Sequence, residues 1–280
     1  MTNTSTAREG LEAFMAVIAC YEHRVGHACR AVANHVPALL TDLPQSPIIL
    51  DNACGTGAVT DELLRALPSA KFYAADVVPP MVQVMKANVA ASVTMQNSVV
   101  AVDIMDGQAL QYQSNFFDVS VTNFGIFFFP DPILGAKEIY RTLKPGGFGV
   151  VTVWKDLGFK PLLWEVQKRV KPINPMAELL VMEAWSDGKL LEKTLKKGGF
   201  TTVELKEVTE GMWGVSTDDL KSVLLENFTA LVSRNWSDEE KAKLPEVTAE
   251  VLKDMESEYC VQSGGRVGVL MTAWIAVCKK

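Results

Sequence analysis

Within residues 51–60, "DNACGTGAVT", one carboxylate, Asp51, precedes two glycines, Gly55 and Gly57, and a helix-like run follows. Glycines at this spacing let a ligand approach the backbone, and the amides that open the next helix then face it. Three features speak against a phosphate there. No Lys-Ser/Thr pair follows the glycines, so the loop is no Walker cradle. Thr60 stands where a dinucleotide fold has its third glycine. A pyrophosphate would also sit close to the Asp51 carboxylate, an unfavourable pairing in a partly buried site. A cationic ligand reverses that sign. S-adenosylmethionine has no phosphate and carries an ammonium and a sulfonium, which Asp51 would attract directly or through water.

Three further positions suit the same ligand. Asp76, 25 residues after Asp51, is placed to take both ribose hydroxyls. In "MDGQAL", Asp106 would accept from the adenine amino group and Gly107 would give the ring room. In "TNFG", the Asn123 backbone would face the methionine moiety. A lone Gly-x-Gly is weak evidence; four such sites in order, each after its own strand, are strong. Methyl transfer from a sulfonium is an in-line displacement, so the protein mainly aligns the reactants and excludes water. A thiol acceptor needs no base near neutrality, whereas an alcohol or phenol benefits from one. Tyr21, His23 and His27 in "CYEHRVGHACR" are the candidates for such a base, the two histidines four apart on one helix face. The plain alternative, surface histidines on a half-exposed helix, is the one the spacing favours. Phe127 and Phe128 of "GIFFFPDP", Trp154 and Trp213 are expected to line the acceptor pocket. Phe129 is a further candidate, with at least one of the three phenylalanines expected in the core; Trp164, Trp185, Met176, Met182 and Met212 suggest an apolar cover, though such residues are more often plain core.

These residues require a frame in which strands end side by side. The helix-like stretch 9–36 is broken by Pro37 and "TDLPQSP". Then "IIL" reads as a strand, 58–67 as a helix, "KFYAADV" as a strand, 79–91 as a helix and "SVVAVDI" as a third strand. "FFDVSVTNFG" is a fourth strand, followed by the helix "PILGAKEIYRTL", the turn "KPGG" and the strand "FGVVTVW". Such alternation means right-handed crossovers and a parallel sheet covered on both faces. After Trp154 the rhythm changes. Residues 156–186 are irregular and helical in part, "GKLLEKTLKKGGF" is a helix and "TTVELKEV" a strand. Residues 217–259 hold two helices started by "STDD" and "SDEE", and "VGVLMTAWIAVCKK" closes as a strand.

The 280 residues, 48% apolar and 21% charged, suit one large domain with additions. No run is long enough for a membrane helix and the start lacks a signal pattern, so a cytoplasmic chain without membrane insertion is expected. The net charge of −6 argues against nucleic acid as a partner. The five cysteines form no CxxC and read as reduced, mostly buried thiols; no metal site is expected, since His23 and His27 lack a third ligand.

The runs "LDNACGTGAVT", "AADVVPPMV", "DGQALQYQSNFFDVSVTNFGIFFFPDP" and "EIYRTLKPGGFGVVTVW" resemble the class I S-adenosylmethionine-dependent methyltransferases. Within them the chain is most similar to the ubiquinone and menaquinone C-methyltransferase branch. It is also similar to fungal secondary-metabolite methyltransferases, including those acting on gliotoxin-type thiols. The resemblance implies an α/β, Rossmann-like seven-stranded sheet whose last strand is antiparallel. It implies an N-terminal helical lid (1–44), a cofactor-binding core (45–155), and a helical cap over the acceptor (156–186 and 211–262). Residues 187–210 and 263–280 would complete the sheet. It adds Ala53, Thr56, Val77, Met81, Gln108, Phe124 and Gly125 to the expected cofactor contacts. Ala53 is a departure, standing where many members have the first glycine of the loop; it is small enough for binding to survive. The implied activity is methyl transfer to a small, largely apolar metabolite on S or O, with N next, yielding S-adenosylhomocysteine. Two rivals stand beside it: a protein methyltransferase, and a cofactor-binding protein of this fold that does not methylate. The sequence is silent on oligomeric state.

Overall fold

β-Branched and aromatic residues crowd the five runs that form the parallel part of the sheet. The strands are β1 (Ile48–Asn52), β2 (Lys71–Asp76), β3 (Val99–Ile104), β4 (Phe117–Asn123) and β5 (Leu143–Leu157). This computed structural model describes residues 26–172, 183–233 and 236–280. The eight-stranded sheet has the order β3-β2-β1-β4-β5-β8-β6, where β6 is Val203–Gly214 and β8 is Arg266–Lys279. β1 pairs in parallel with β2 and β4, as do β2 with β3 and β4 with β5. The start of β5 meets the end of β8 through Gly146 N–H to Lys280 O at 2.8 Å and Lys280 N–H to Gly147 O at 3.0 Å. Those two strands therefore run in opposite directions. The eighth strand, β7 (Val261–Ser263), is a short antiparallel hairpin partner of β8. It extends the expected seven strands and converts the end of the expected 211–262 helical segment into strand.

Ile49, Leu50, Phe72, Val119, Val121, Val150 and Val151 are fully buried. Each such side chain contributes about 1.5–3 kcal/mol. The central strands are covered on both faces, which is why they read as continuous apolar runs rather than alternating ones.

The chain divides into two units. One comprises Cys29–Lys155, Ala184–Val208 and Ala273–Lys280. Its helices are α1 (His27–Ala33, which begins just ahead of it), α2 (Ala58–Ala66), α3 (Pro79–Ala91), α4 (Val93–Ser98), α5 (Pro132–Thr142) and α7 (Lys189–Gly198). Asp131 caps α5, its carboxylate accepting from Ile133 and Leu134 N–H, with Pro132 following. The other unit takes Asp156–Glu183 and Thr209–Thr272 together with the residues before Cys29, as far as they are described. It carries α6 (Lys160–Val170), α8 (Thr217–Leu231), α9 (Asp238–Ala242) and α10 (Leu244–Tyr259), with α6 and α8 packed on α10.

Four local expectations change. The described part of the 9–36 helix ends at Ala33, where i→i+3 bonds from His35 to Val32 and from Val36 to Ala33 take over ahead of Pro37. Ser98 closes α4 instead of opening β3. "KPGG" is a bulge inside β5 rather than a turn before it. Phe117 faces Leu143 and Val119 faces Phe148, so Lys144–Gly147 stand against Asp118 alone, with Gly146 at φ +82°. Lys144 is paired to Asp118 at 2.8 Å. The helix begun by "SDEE" is two helices, because Pro245 lacks an N–H and its ring would clash with the carbonyl of Lys241. No helix among the described residues is long and apolar enough to cross a membrane.

Candidate functional site

The carboxyl ends of β1, β2 and β4 converge because neighbouring parallel strands end together. Asp51 pairs with Ala74 on one side and Val121 on the other, and is fully buried. Its Oδ2 accepts from Thr60 N–H at 3.1 Å and from Thr60 Oγ1 at 2.7 Å. Its Oδ1 is buried without a partner. Burial pushes the carboxyl up to about 7; the two Thr60 bonds oppose this and the Asp76 charge adds to it.

Asp76, 8% exposed, accepts from Gly55 N–H at 2.8 Å and from Val78 N–H at 2.9 Å. Burial raises its pKa too, against those two bonds. Cys54 N–H donates to Ala75 O at 3.0 Å, so the glycine loop is tied twice to the end of β2. Neither carboxylate forms an ion pair with any described cation. Cys54, also buried, has its thiol held well up by burial and by the charges of Asp51 and Asp76.

The two glycines differ in purpose. Gly55, at φ +53°, faces open space, and a methyl group added there would meet nothing within 4 Å. Gly57, at φ +94°, is backed by α3, where an added methyl would fall onto Met85 Sδ. The absent side chain of Gly57 thus makes room for Met85, a packing role that its spacing does not reveal. Ala53 takes the left-handed conformation at φ +60°, the reason glycine suits this place. Its methyl is accommodated by Gly125, where a side chain would come within 2.6 Å of it. Thr56 is buried, and its carbonyl accepts from Asn88 Nδ2 at 2.9 Å.

Gly107 is packed closely on its side-chain face: a methyl group there would collide with the Phe129 ring and lie 2.9 Å from Asn52 Oδ1. Asp106 is exposed and accepts from Gln108 N–H at 2.9 Å, with Gln108 Nε2 at 3.0 Å. Gln108 Oε1 in turn accepts from Asp131 N–H at 2.7 Å, docking this segment onto the start of α5. Val77 is exposed and Met81 is buried. Asn123 bridges Thr152 and Cys29, and Phe124, at φ +54°, is buried.

Of the expected acceptor residues, Phe127 is buried and Phe128 is 69% exposed. Trp154 is buried and stacked on Phe124, ring centroids 4.0 Å apart. Trp213 belongs to the other unit, where Arg266 lies over its ring at 5.4 Å. His27 is exposed, on the first turn of α1. Tyr21 and His23 lie outside the described residues. No group of His, Cys, Asp and Glu among the described residues could hold a metal. Cys29, Cys54 and Cys278 are buried and Cys260 is half-buried.

Sequence reasoning missed Asn52, Thr152 and the structural use of Thr60. Asn52 is buried, donates weakly to Thr122 Oγ1 at 3.3 Å and leaves its Oδ1 unpartnered. A signal existed for all of them: a polar residue inside or just beyond an apolar run must find a partner once buried.

A family model described as a methyltransferase domain matches residues 49–147. Demethylmenaquinone methyltransferase of Lactococcus lactis is 30% identical over 177 residues, 57% of this chain and 68% of that one. The mitochondrial 2-methoxy-6-polyprenyl-1,4-benzoquinol methylase of Caenorhabditis elegans is 25% identical over 187 residues, 62% of this chain. The match spans 65% of that protein's own length, just under two thirds. Methyltransferase ktnA of Aspergillus niger is 24% identical over 261 residues, 83% of this chain and 84% of that one. Among solved structures, the [4+2]-cyclase SpnF shares the fold with a TM-score of 0.51 and 20% identity, covering 88% of this chain and 80% of that one.

Proposed function

The chain belongs to the S-adenosylmethionine-dependent methyltransferases, and from that premise we propose that it methylates a small, largely apolar metabolite at sulfur or oxygen, with nitrogen as the next acceptor. One observation carries the cofactor reading: two buried carboxylates bracket the glycine loop with no cation of the described residues on either, and one oxygen of Asp51 has no partner among them. A phosphate would add to that uncompensated charge, whereas an ammonium or sulfonium offsets it. The residues thus fit S-adenosylmethionine, which when bound supplies a methyl group already activated on a sulfonium.

In this reading Asp51 sets the negative potential for the cationic end, and Asp76 takes the ribose while its bond to Gly55 N–H holds the loop. Gly55 leaves the side of approach open. Gly107, Asp106 and Gln108 border the adenine, with Val77, Met81, Ala53, Thr56 and the segment 123–125 around the rest. Phe127, Phe128 and Trp154 are proposed for the acceptor, and alignment with exclusion of water supplies the rate. For a thiol acceptor no base is required, and His27 has no part. A cytoplasmic setting and the absence of nucleic-acid partners belong to the same proposal, the second supported by the net charge of −6.

Calorimetric titration with S-adenosylmethionine and S-adenosylhomocysteine tests the site. Micromolar binding of both is expected, followed by S-adenosylhomocysteine release with thiol or phenol metabolites. Binding without product across thiols, phenols and amines would overturn methyl transfer to small molecules. Failure to bind either would overturn the cofactor reading.

A further inference from the structure

We infer that Thr152 on β5 is a positioning residue for the cofactor-facing end of β4, an inference that rests on the cofactor reading above. Thr152 is fully buried within the apolar run Val150, Val151, Val153 and Trp154. A hydroxyl in such a place is costly without partners. It has two: it accepts from Phe124 N–H at 2.9 Å and donates to Asn123 Oδ1 at 2.7 Å. Asn123 Nδ2 continues the chain of bonds to Cys29 O at 3.2 Å.

These bonds act on the peptide between Asn123 and Phe124. Its N–H and C=O share one plane and point in opposite directions. A hydroxyl that holds the Phe124 N–H therefore also aims the Asn123 carbonyl. Phe124 is held in the left-handed region at φ +54°, a conformation that a bulky residue keeps only when its surroundings enforce it. β5 enforces it twice. Thr152 holds the backbone, and Trp154, two residues on and so on the same face of the strand, stacks on the ring at 16° between planes. Gly125 then admits the Ala53 methyl, which seats the segment against the glycine loop.

Sheet pairing alone does not call for this. The β4–β5 register already reaches Asn123 opposite Thr152, and a valine at 152 would fill the same space. What the hydroxyl adds is the direction of one peptide and the turn of Phe124, at the segment proposed to face the methionine moiety.

Thr152→Val and Thr152→Ser test the assignment, with S-adenosylhomocysteine affinity read by calorimetry and amide exchange at Phe124 and Gly125 read in the unliganded protein. Thr152→Val is expected to weaken binding about tenfold and to speed exchange at Phe124, while Thr152→Ser restores both. Thr152→Ala gives the same readout should the valine variant fail to accumulate. Wild-type affinity in the valine or alanine variant, unchanged exchange at Phe124, or no rescue by serine would overturn the assignment and leave the cofactor reading standing. A wild-type protein that binds no S-adenosylhomocysteine would overturn both.

Discussion

Two pairs of carboxylates lie close together in the chain and are treated in opposite ways. On α2, Asp61 and Glu62 are interleaved with arginines. Arg30 reaches them at 2.6 and 3.2 Å, and Arg65 at 2.7 and 2.8 Å. At the strand ends, Asp51 is fully buried and Asp76 is 8% exposed, and among the described residues they have only backbone and threonine donors. Basic residues are thus within reach of this region, yet among the described residues none is placed where burial makes an unpaired charge most costly. The contrast separates two uses of acid: one cluster fastens α1 to α2, and the other, in the function proposed above, keeps a negative potential for a partner that brings its own positive charge.

The largest test of that contrast is Asp51→Asn. Burial sets the folded carboxyl at about 7 against an ordinary value of 3.8. A raised carboxyl costs nothing below the lower value. Its penalty grows between the two and stays constant above the upper one. The full penalty is on the order of 4 kcal/mol, taken as an upper bound. Asp51→Asn should therefore melt above the parent at pH 8 and level with it near pH 4, while losing cofactor affinity. Equal melting at pH 8 would break the comparison. The same titration predicts that the parent binds S-adenosylmethionine more tightly as pH rises through 7, with proton release visible in buffers of different ionisation enthalpy.

Asp76→Ala comes next. It should weaken cofactor binding by about 1.5–3 kcal/mol through loss of charge-assisted bonds. Unchanged affinity in a folded variant would remove Asp76 from the ribose. The smallest effect belongs to Arg30→Gln, where Arg65 still serves both acids and the cluster is partly exposed. Denaturant titration should show a loss of roughly 1 kcal/mol or less, shrinking further at high salt. A loss of several kcal/mol would mean that α2 depends on its cations far more than the strand ends do, and the division of roles would need redrawing.

Much of the frame was legible because burial on both faces forces continuous apolar strands and because caps and prolines mark helix starts. The bounds of α3, Pro79–Ala91, could be read directly from "PPMVQVMKANVAA". The acidic and glycine positions were legible as a set, since each follows its own strand. What lay beyond reach were choices made by distant neighbours. Nothing in "CGTG" says that Gly55 meets open space while Gly57 meets Met85, 28 residues later. Nor does "MDGQAL" reveal that Phe129 packs beside Gly107. The break at Pro245, by contrast, could have been read from local sterics.

The sequence by itself determined the alternation of strand and helix, the parallel sheet, and the placing of acids and glycines at strand ends. These depend on local periodicity and on where chain direction reverses. Only the tertiary structure decided which carboxylate is deepest, which glycine faces outward and which hydroxyl holds Phe124 in its turn. Those depend on what β2, α3 and β5 bring alongside. Desolvation and steric exclusion belong to a residue's surroundings in space, and no local pattern encodes them.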